Sequence, residues 1–427
     1  VKRVLLLGAG LVSRPLVRYL LGCDDVMLTV ADRDPERAAA AVLGHPRGRG
    51  LGLAGDEPKA LAKAIAGCDL AISLLPAPLH PKVAEVAIAH RVPMITTSYV
   101  GAEMRALDGP ARQAGVLILN EIGLDPGLDH MSAMAAIDRL RAEGHRLTSF
   151  RSCCGGLPAP EANDNPWGYK FSWSPRGVLA AGRNAARWLE EGRIVDVPGD
   201  ALFRAVAPYD VPGLGRFEVY PNRDAVSYVA TYGIEGVRTM FRGTIRYPGW
   251  CATLDAVSRL GLLDVQERTW PAGTTFAGFM ESVAKTRFDL DGPVVERLAW
   301  AGLTSDRPIG VTRAAPIDVL CARLEDAMPY RPGERDMIVL RHEFESASSD
   351  DRPSSLVATL VAFGEPAGDQ AMARTVSLPA AVAARLLLDR RIGLTGVRIP
   401  VHREIYDPVL AALGAMGIVF EESRITP

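Results

Sequence analysis

Cysteine is scarce in this 427-residue chain, and the six that occur, at positions 23, 68, 153, 154, 251 and 321, form no C-x-x-C pair. That scarcity excludes a disulfide-stapled scaffold and argues against a structural zinc site, so no metal is expected. Small buried thiols in a reducing compartment fit better, and a cytoplasmic location is expected. An excess of one charge is also missing, since 48 Lys and Arg face 50 Asp and Glu. With no net field to gather nucleic acid or anionic lipid, the partner to look for is a small molecule. Apolar runs are short as well, none reaching the roughly 18 uninterrupted residues of a membrane span. Lys2-Arg3 ahead of the apolar residues 4–7 imitates the start of a signal peptide, but Gly8, Gly10 and Arg14 break the run. No internal repeat and no low-complexity tract is found.

What is present is an ordinary globular composition, 48% apolar and 23% charged, at a length that calls for two or three domains. Over residues 1–125 strands and helices alternate. Residues 4–7 are a continuous apolar run, the habit of a parallel strand covered on both faces. Residues 26–31, 70–75, 94–97 and 116–119 read as further strands. Residues 11–21, 35–42, 59–66, 81–90 and 101–113 read as helices. This rhythm predicts right-handed crossovers and a doubly wound parallel sheet, hence an α/β class. Beyond Asn120 the pattern changes. A strand over 149–154 is expected, then a long loop over 155–176 and a helix over 177–195. From about 250 to 330 the pattern is almost wholly helical. Antiparallel strands at 337–344 and 356–363, a helix at 380–388, and a final helix with a short strand at 417–420 complete the reading.

The segment Gly8-Ala9-Gly10-Leu11-Val12-Ser13 lies between the first strand and the first helix. Gly8 permits the tight turn and Gly10 a close approach of backbone to a pyrophosphate, which the helix N-terminus would hold. Ser13 stands where the third glycine of such a fingerprint usually does, still small enough for close packing. Asp32 closes the second strand about 20 residues on, placed to accept from the adenosine ribose hydroxyls. That carboxylate favours NAD over NADP, although Arg33 beside it could pair with a 2′-phosphate or stack on adenine. The bland alternative is a nucleotide fold that binds nothing.

Several later blocks carry a resemblance. They are Ile72-Ser73-Leu74-Leu75-Pro76, Leu79-His80-Pro81, Thr97-Ser98-Tyr99, and the run from Asn120 through Asp125-Pro126-Gly127 to His130. Further on come the block from Cys154 to Glu161, Tyr169–Ser174 as Tyr-Lys-Phe-Ser-Trp-Ser, Tyr220-Pro221-Asn222-Arg223-Asp224, Arg242-Gly243-Thr244-Ile245-Arg246-Tyr247 and Glu334–Val339 as Glu-Arg-Asp-Met-Ile-Val. Together they resemble the L-glutamate-forming saccharopine dehydrogenases, also called saccharopine reductases, over nearly the whole chain. The resemblance implies NAD(P)-linked oxidation of saccharopine to glutamate and 2-aminoadipate 6-semialdehyde, or the reverse, in lysine metabolism. It also implies three parts: a Rossmann domain over 1–125 and 396–427, a mixed-sheet α+β substrate domain over 126–245 and 331–395, and a small helical domain over 246–330. A homodimer through the substrate domain is implied as well. Leu75, Pro76, Leu124, Asp125 and Ser174 join the fingerprint residues as implied cofactor contacts.

A substrate with three carboxylates and a protonated amine needs a cationic clamp and a route for protons. Arg223 is the candidate clamp, its planar fork suiting a carboxylate, with a structural ion pair as the alternative. Ser98 and Tyr99 follow a strand at the carboxyl edge, where doubly wound sheets bind ligands. Tyr99 could bond a substrate carboxylate or the reacting nitrogen, or be a packed aromatic. Asp125 could orient the nicotinamide ribose or pair with the amine, or merely cap the following helix. Cys154 matches the family position near the reacting centre, as a polarisable neighbour rather than a nucleophile. Trp173 and Thr244 are expected to line the substrate pocket, or to pack. His80 and His130 are candidate bases by position alone, and a structural role suits each better. Two rival functions stand beside this one: a related imine-reducing enzyme such as a carboxynorspermidine synthase, and a non-catalytic NAD(P)-binding sensor.

Overall fold

The computed structural model describes residues 1–55, 57–284 and 289–425. The run at residues 4–7 is wholly buried, as a strand covered on both faces must be. It forms β1 (Lys2–Leu7), followed by β2 (Val26–Asp32), β3 (Gly48–Gly52), β4 (Leu70–Ser73), β5 (Met94–Thr96) and β6 (Leu117–Leu119). The sheet runs β3-β2-β1-β4-β5-β6 and continues with Gly396–Arg398 beside β6, every pair being parallel. Strand order reverses between β1 and β4, so their carboxyl ends open the crevice where such sheets take ligands. β3 was not foreseen, because Gly-Arg-Gly-Leu-Gly lacks strand formers. Its glycines serve packing instead: a Cβ at Gly50 would lie 2.6 Å from the backbone nitrogen of Ala39, in the helix Pro35–Ala41.

The chain divides into two compact units. The first comprises Val1–Glu143 and Asp369–Val419, and the second Gly144–Gly368 and Phe420–Pro427. These bounds differ from the expected ones. The helix Leu128–Ala142 and the helix Ala371–Leu388 belong with the parallel sheet. Ala371–Leu388 starts nine residues before the expected helix over 380–388, since Pro379 lies inside it rather than at its first turn. It is apolar and long enough to cross a membrane by composition, yet most of it is buried in its unit. The last strand also departs from expectation. Glu421–Ile425 pairs antiparallel with Pro353–Phe363 in the second unit, whereas a strand at 417–420 in the first was predicted. A polar edge strand is held by its backbone, so apolar side chains did not mark it.

The second unit is built on a mixed sheet of nine strands. Thr239–Arg246 runs parallel to Arg146–Pro158, which pairs antiparallel with Asp336–Ala347. The predicted antiparallel partner of Asp336–Ala347 is present as Pro353–Phe363. The predicted helix over 177–195 stops at Ala181 and gives way to a hairpin, Ala186–Glu190 with Arg193–Val197. Glu191 and Gly192 both adopt positive φ, the backbone of a two-residue hairpin turn. The helices between 250 and 327 share one apolar core with Trp167, Tyr169, Phe203 and Tyr220, so they form no separate unit.

Lys170 is almost fully buried in this unit, its Nζ 2.8 Å from Asp164 Oδ1 and 2.7 Å from Glu334 Oε2. Removing one member of such a cluster strands the others. Lys170→Met is expected to lower the unfolding free energy by about 3 kcal/mol in urea titration, and unchanged stability would contradict that role.

Candidate active-site residues

Five candidates lie in the second unit. Strand register sets Cys154 beside Thr244 and Thr244 beside Tyr220, so the three side chains share one face of the sheet. Arg246, two residues beyond Thr244, shares that face too. Its residue is 5% exposed, and its guanidinium carbon lies 5.1 Å from the ring centre of Tyr169 and 5.5 Å from that of Trp250. Nη1 donates to the carbonyl of Ile245 at 2.8 Å, while Nε finds no acceptor. Burial acts to lower its pKa, but Tyr220, Tyr169, Cys251 and Cys154 act the other way and the net shift is upward. The group is a desolvated cation, and among the described residues it makes no ion pair. Such a charge is costly unless an anion arrives. No sequence signal separated it from Arg242 in the same block. Alternation about Thr244 does not do so either, since residues 242 and 246 fall on the same face of the strand.

Arg223 sits at positive φ in the turn after Gly215–Pro221, with an exposed side chain and a carbonyl that accepts from the amide of Arg187 at 2.9 Å. Trp173 is half-buried against the helical core. Ser174 caps the helix Pro175–Ala181, its Oγ accepting from the amide of Gly177 at 3.1 Å. That local bond accounts for the serine without a cofactor.

In the first unit, Gly8 has φ +101° and a Cβ there would meet the carbonyl oxygen of Leu74 at 3.0 Å, where β1 and β4 end side by side. A Cβ at Gly10 would meet nothing within 4 Å. Leu11 is exposed, Val12 half-buried, and Ser13 buried with its Oγ donating to the carbonyl of Gly10 at 2.8 Å. No side chain caps the helix Arg14–Leu21, and its first turn holds no acid. Open space beside Gly10 and an uncapped N-terminus fit a dinucleotide phosphate. Asp32 is engaged otherwise than expected: Oδ2 accepts from the amide of Ala9 at 2.8 Å and Oδ1 from that of Asp34 at 3.0 Å. The carboxylate thus ties the glycine turn to the end of β2. Arg33 beside it is exposed and makes no ion pair among the described residues.

Leu75 and Pro76 follow β4, half-buried and exposed respectively, and Leu124 is buried. The hydroxyl of Tyr99 donates to Asp125 Oδ1 at 2.6 Å, so two predicted site residues meet directly. Asp125 does not cap the following helix; Asp129 accepts from the amide of Gly127 there, at 2.6 Å. Gly127 has φ +144°, and a Cβ would run into the backbone of Gly123, which makes this loop a glycine-only turn. Both histidines are held inside networks. His130 Nε2 is 2.9 Å from Glu121 Oε2, both residues being buried. His80 Nδ1 is 2.9 Å from Ser73 Oγ, and Nε2 is 2.9 Å from Ser98 Oγ.

Burial holds the pKa of His80 down, from 6.5 to about 4. In the unfolded chain the imidazole takes up a proton as pH falls through its ordinary range, while the folded one stays neutral until about pH 4. Stability is therefore lost across that window as pH falls. Urea titrations at about pH 7 and about pH 5 should show a loss near ~2 kcal/mol that His80→Gln does not share. Equal losses in both proteins would contradict the burial of a neutral ring.

Comparison with known proteins extends over the same residues. Residues 4–119 match the family model of the saccharopine dehydrogenase NADP binding domain, and residues 123–418 that of the saccharopine dehydrogenase C-terminal domain. The chain is 37% identical to saccharopine dehydrogenase [NADP(+), L-glutamate-forming] of Schizosaccharomyces pombe and 38% identical to that of Saccharomyces cerevisiae, over 99% of each chain. It is also 37% identical to the mitochondrial alpha-aminoadipic semialdehyde synthase of Bos taurus, over 98% of this chain and 47% of that protein. The solved apo saccharopine dehydrogenase (L-Glu forming) of Saccharomyces cerevisiae superposes with a TM-score of 0.86 at 37% identity, covering 100% of both chains. The expected order of cofactors is reversed by these findings, which support NADP and not NAD as the main one. In the structure Asp32 gives one acceptor site of each oxygen to a backbone amide, and Arg33 beside it is exposed. An α/β protein with a Rossmann sheet and a mixed sheet, the chain belongs to the saccharopine dehydrogenase (L-glutamate-forming) family.

Proposed function

We propose that the protein is an NADP-dependent oxidoreductase that converts saccharopine and water to glutamate and 2-aminoadipate 6-semialdehyde, or runs the reverse condensation. The observation that carries this proposal is Arg246, a guanidinium removed from water that makes no ion pair among the described residues. A tricarboxylate supplies the missing anion, and the aromatic cage around the cation makes that bond strong by excluding water. Thr244, on the same face, offers a hydroxyl to the same ligand, and Arg223 offers a second fork. In the first unit the turn over Gly8–Ser13 would hold the pyrophosphate, and Arg33 the 2′-phosphate. Bound there, NADP+ supplies the hydride acceptor. Tyr99 and Asp125 share one proton-bearing hydrogen bond, a unit able to accept a proton from the substrate amine and pass it on. Cys154 adds a polarisable thiol to the face that Thr244 and Arg246 share. The six cysteines are all thiols, which supports a cytoplasmic location, and the resemblance carries a homodimer with it.

Saccharopine with NADP+ should give a gain in absorbance near ~340 nm, the reduced nicotinamide band. No gain with either NADP+ or NAD+ would overturn the proposal. Arg246→Met should raise KM for saccharopine about 100-fold or more while leaving NADPH binding within about twofold, since a desolvated charge pair is lost. Parallel loss of both would remove Arg246 from the substrate. Arg33→Ala should weaken NADP+ about tenfold more than NAD+, and an equal effect on the two would reassign the phosphate contact.

A further inference from the structure

Two of the hydroxyls around His80 belong to the ends of adjacent strands, and the third belongs to a residue already placed in the candidate site. Ser73 closes β4, Thr96 closes β5, and Ser98 precedes Tyr99. The ring is 3% exposed, with Nδ1 2.9 Å from Ser73 Oγ and Nε2 2.9 Å from Ser98 Oγ and 3.1 Å from Thr96 Oγ1. An apolar side chain here would take this partner away from all three hydroxyls. What an imidazole adds is two polar atoms on opposite edges of one rigid ring, each met by a hydroxyl.

We propose that His80 is a positioning residue for the substrate, one that fixes the hydroxyl of Ser98 and presents it as a donor to a substrate carboxylate. This rests on the function proposed above. The neighbouring contacts explain why Ser98 needs its own anchor. Tyr99 is held by Asp125 at 2.6 Å, and the amide of Val100 donates to Glu121 Oε1 at 2.9 Å. The carbonyl of Ser98 accepts from the amide of Glu121 at 3.1 Å. Three consecutive residues are thus each fixed, Ser98 and Val100 by Glu121 and Tyr99 by Asp125, and the side chain of Ser98 is fixed by the ring. A neutral imidazole carries one N–H. With the hydrogen on Nε2, the ring donates to Ser98 Oγ, Ser73 donates to Nδ1, and the hydrogen of Ser98 points to a ligand. With the hydrogen on Nδ1, Nε2 no longer donates to Ser98 and instead accepts from Ser98 or from Thr96, so the ring does not set the hydrogen of Ser98 toward a ligand. The proposal requires the first arrangement.

The test compares His80→Gln, Ser98→Ala and the double variant by steady-state kinetics with saccharopine and NADP+, alongside fluorescence titration with NADPH. Each single variant is expected to raise KM for saccharopine about tenfold with a smaller change in kcat, and the double variant to be no worse than the worse single one. NADPH binding should stay within about twofold throughout. Losses that multiply in the double variant, or an unchanged KM in His80→Gln, would overturn the proposal, as would NADPH binding that falls in step. Should His80→Gln fail to fold, nitrogen-15 spectra of the wild-type protein decide: a protonated Nε2 supports the proposal and a protonated Nδ1 overturns it. A wild-type protein inert toward saccharopine would overturn the functional proposal and this one together. An active wild type with multiplying losses would overturn this one alone.

Discussion

A charge taken out of water must meet an opposite charge or remain costly, and this constraint orders the interior of the molecule. Lys170 meets it with Asp164 and Glu334. Arg246 does not. Its guanidinium lies over aromatic rings that soften the cost of burial without cancelling it. A chain could remove that cost by placing a Leu or Met at the position. Keeping an arginine there, on the sheet face that also carries Thr244 and Cys154, is understandable if an anion from outside completes the pair.

The carboxyl edge of the parallel sheet follows a different rule, because there the buried titratable group is kept neutral. His80 escapes the cost of a buried charge by staying unprotonated, at a pKa of about 4, and its ring then serves hydroxyls rather than carboxylates. The neighbouring hydrogen-bonded pair of Glu121 and His130 anchors the same stretch of chain through the amide of Val100. The two hydrogen-bonded networks thus fix adjacent residues of one segment. The precision this gives Ser98 and Tyr99 is of the kind a substrate-orienting segment needs.

How far the sequence revealed this depends on what each feature is made of. Features made of apolar side chains were legible. The run at residues 4–7, the strands 337–344 and 356–363, and the helical stretch from 250 to 330 all appear close to where periodicity placed them. Features made of backbone geometry were not. β3 is built from glycines that let the helix Pro35–Ala41 lie against it, the hairpin at Ala186–Val197 rests on positive φ at Glu191 and Gly192, and Glu421–Ile425 is a polar edge. Glu191 in particular carries no turn signal by residue type. The glycine fingerprint was legible because its residues are chosen for what they lack. The bonds of Asp32 to Ala9 and Asp34 were not foreseen, because a carboxylate announces that it accepts hydrogen bonds and not from where.

The same distinction governs the polar candidates as a group. Ser174 and Asp32 were chosen by type and position, yet each spends an oxygen on a backbone amide of its own unit. Asp125 spends one on Tyr99. An acceptor already bonded is not equivalent to one awaiting a ligand, and the direction of the existing bond decides what remains. Tyr99 gives its only hydroxyl hydrogen to Asp125, so what its oxygen retains is acceptor capacity. Of the two partners considered for Tyr99, a carboxylate and the reacting nitrogen, a carboxylate would bring lone pairs against lone pairs. A protonated amine brings hydrogens. Under the proposed function, the 2.6 Å bond to Asp125 therefore suits Tyr99 to the amine rather than to a carboxylate.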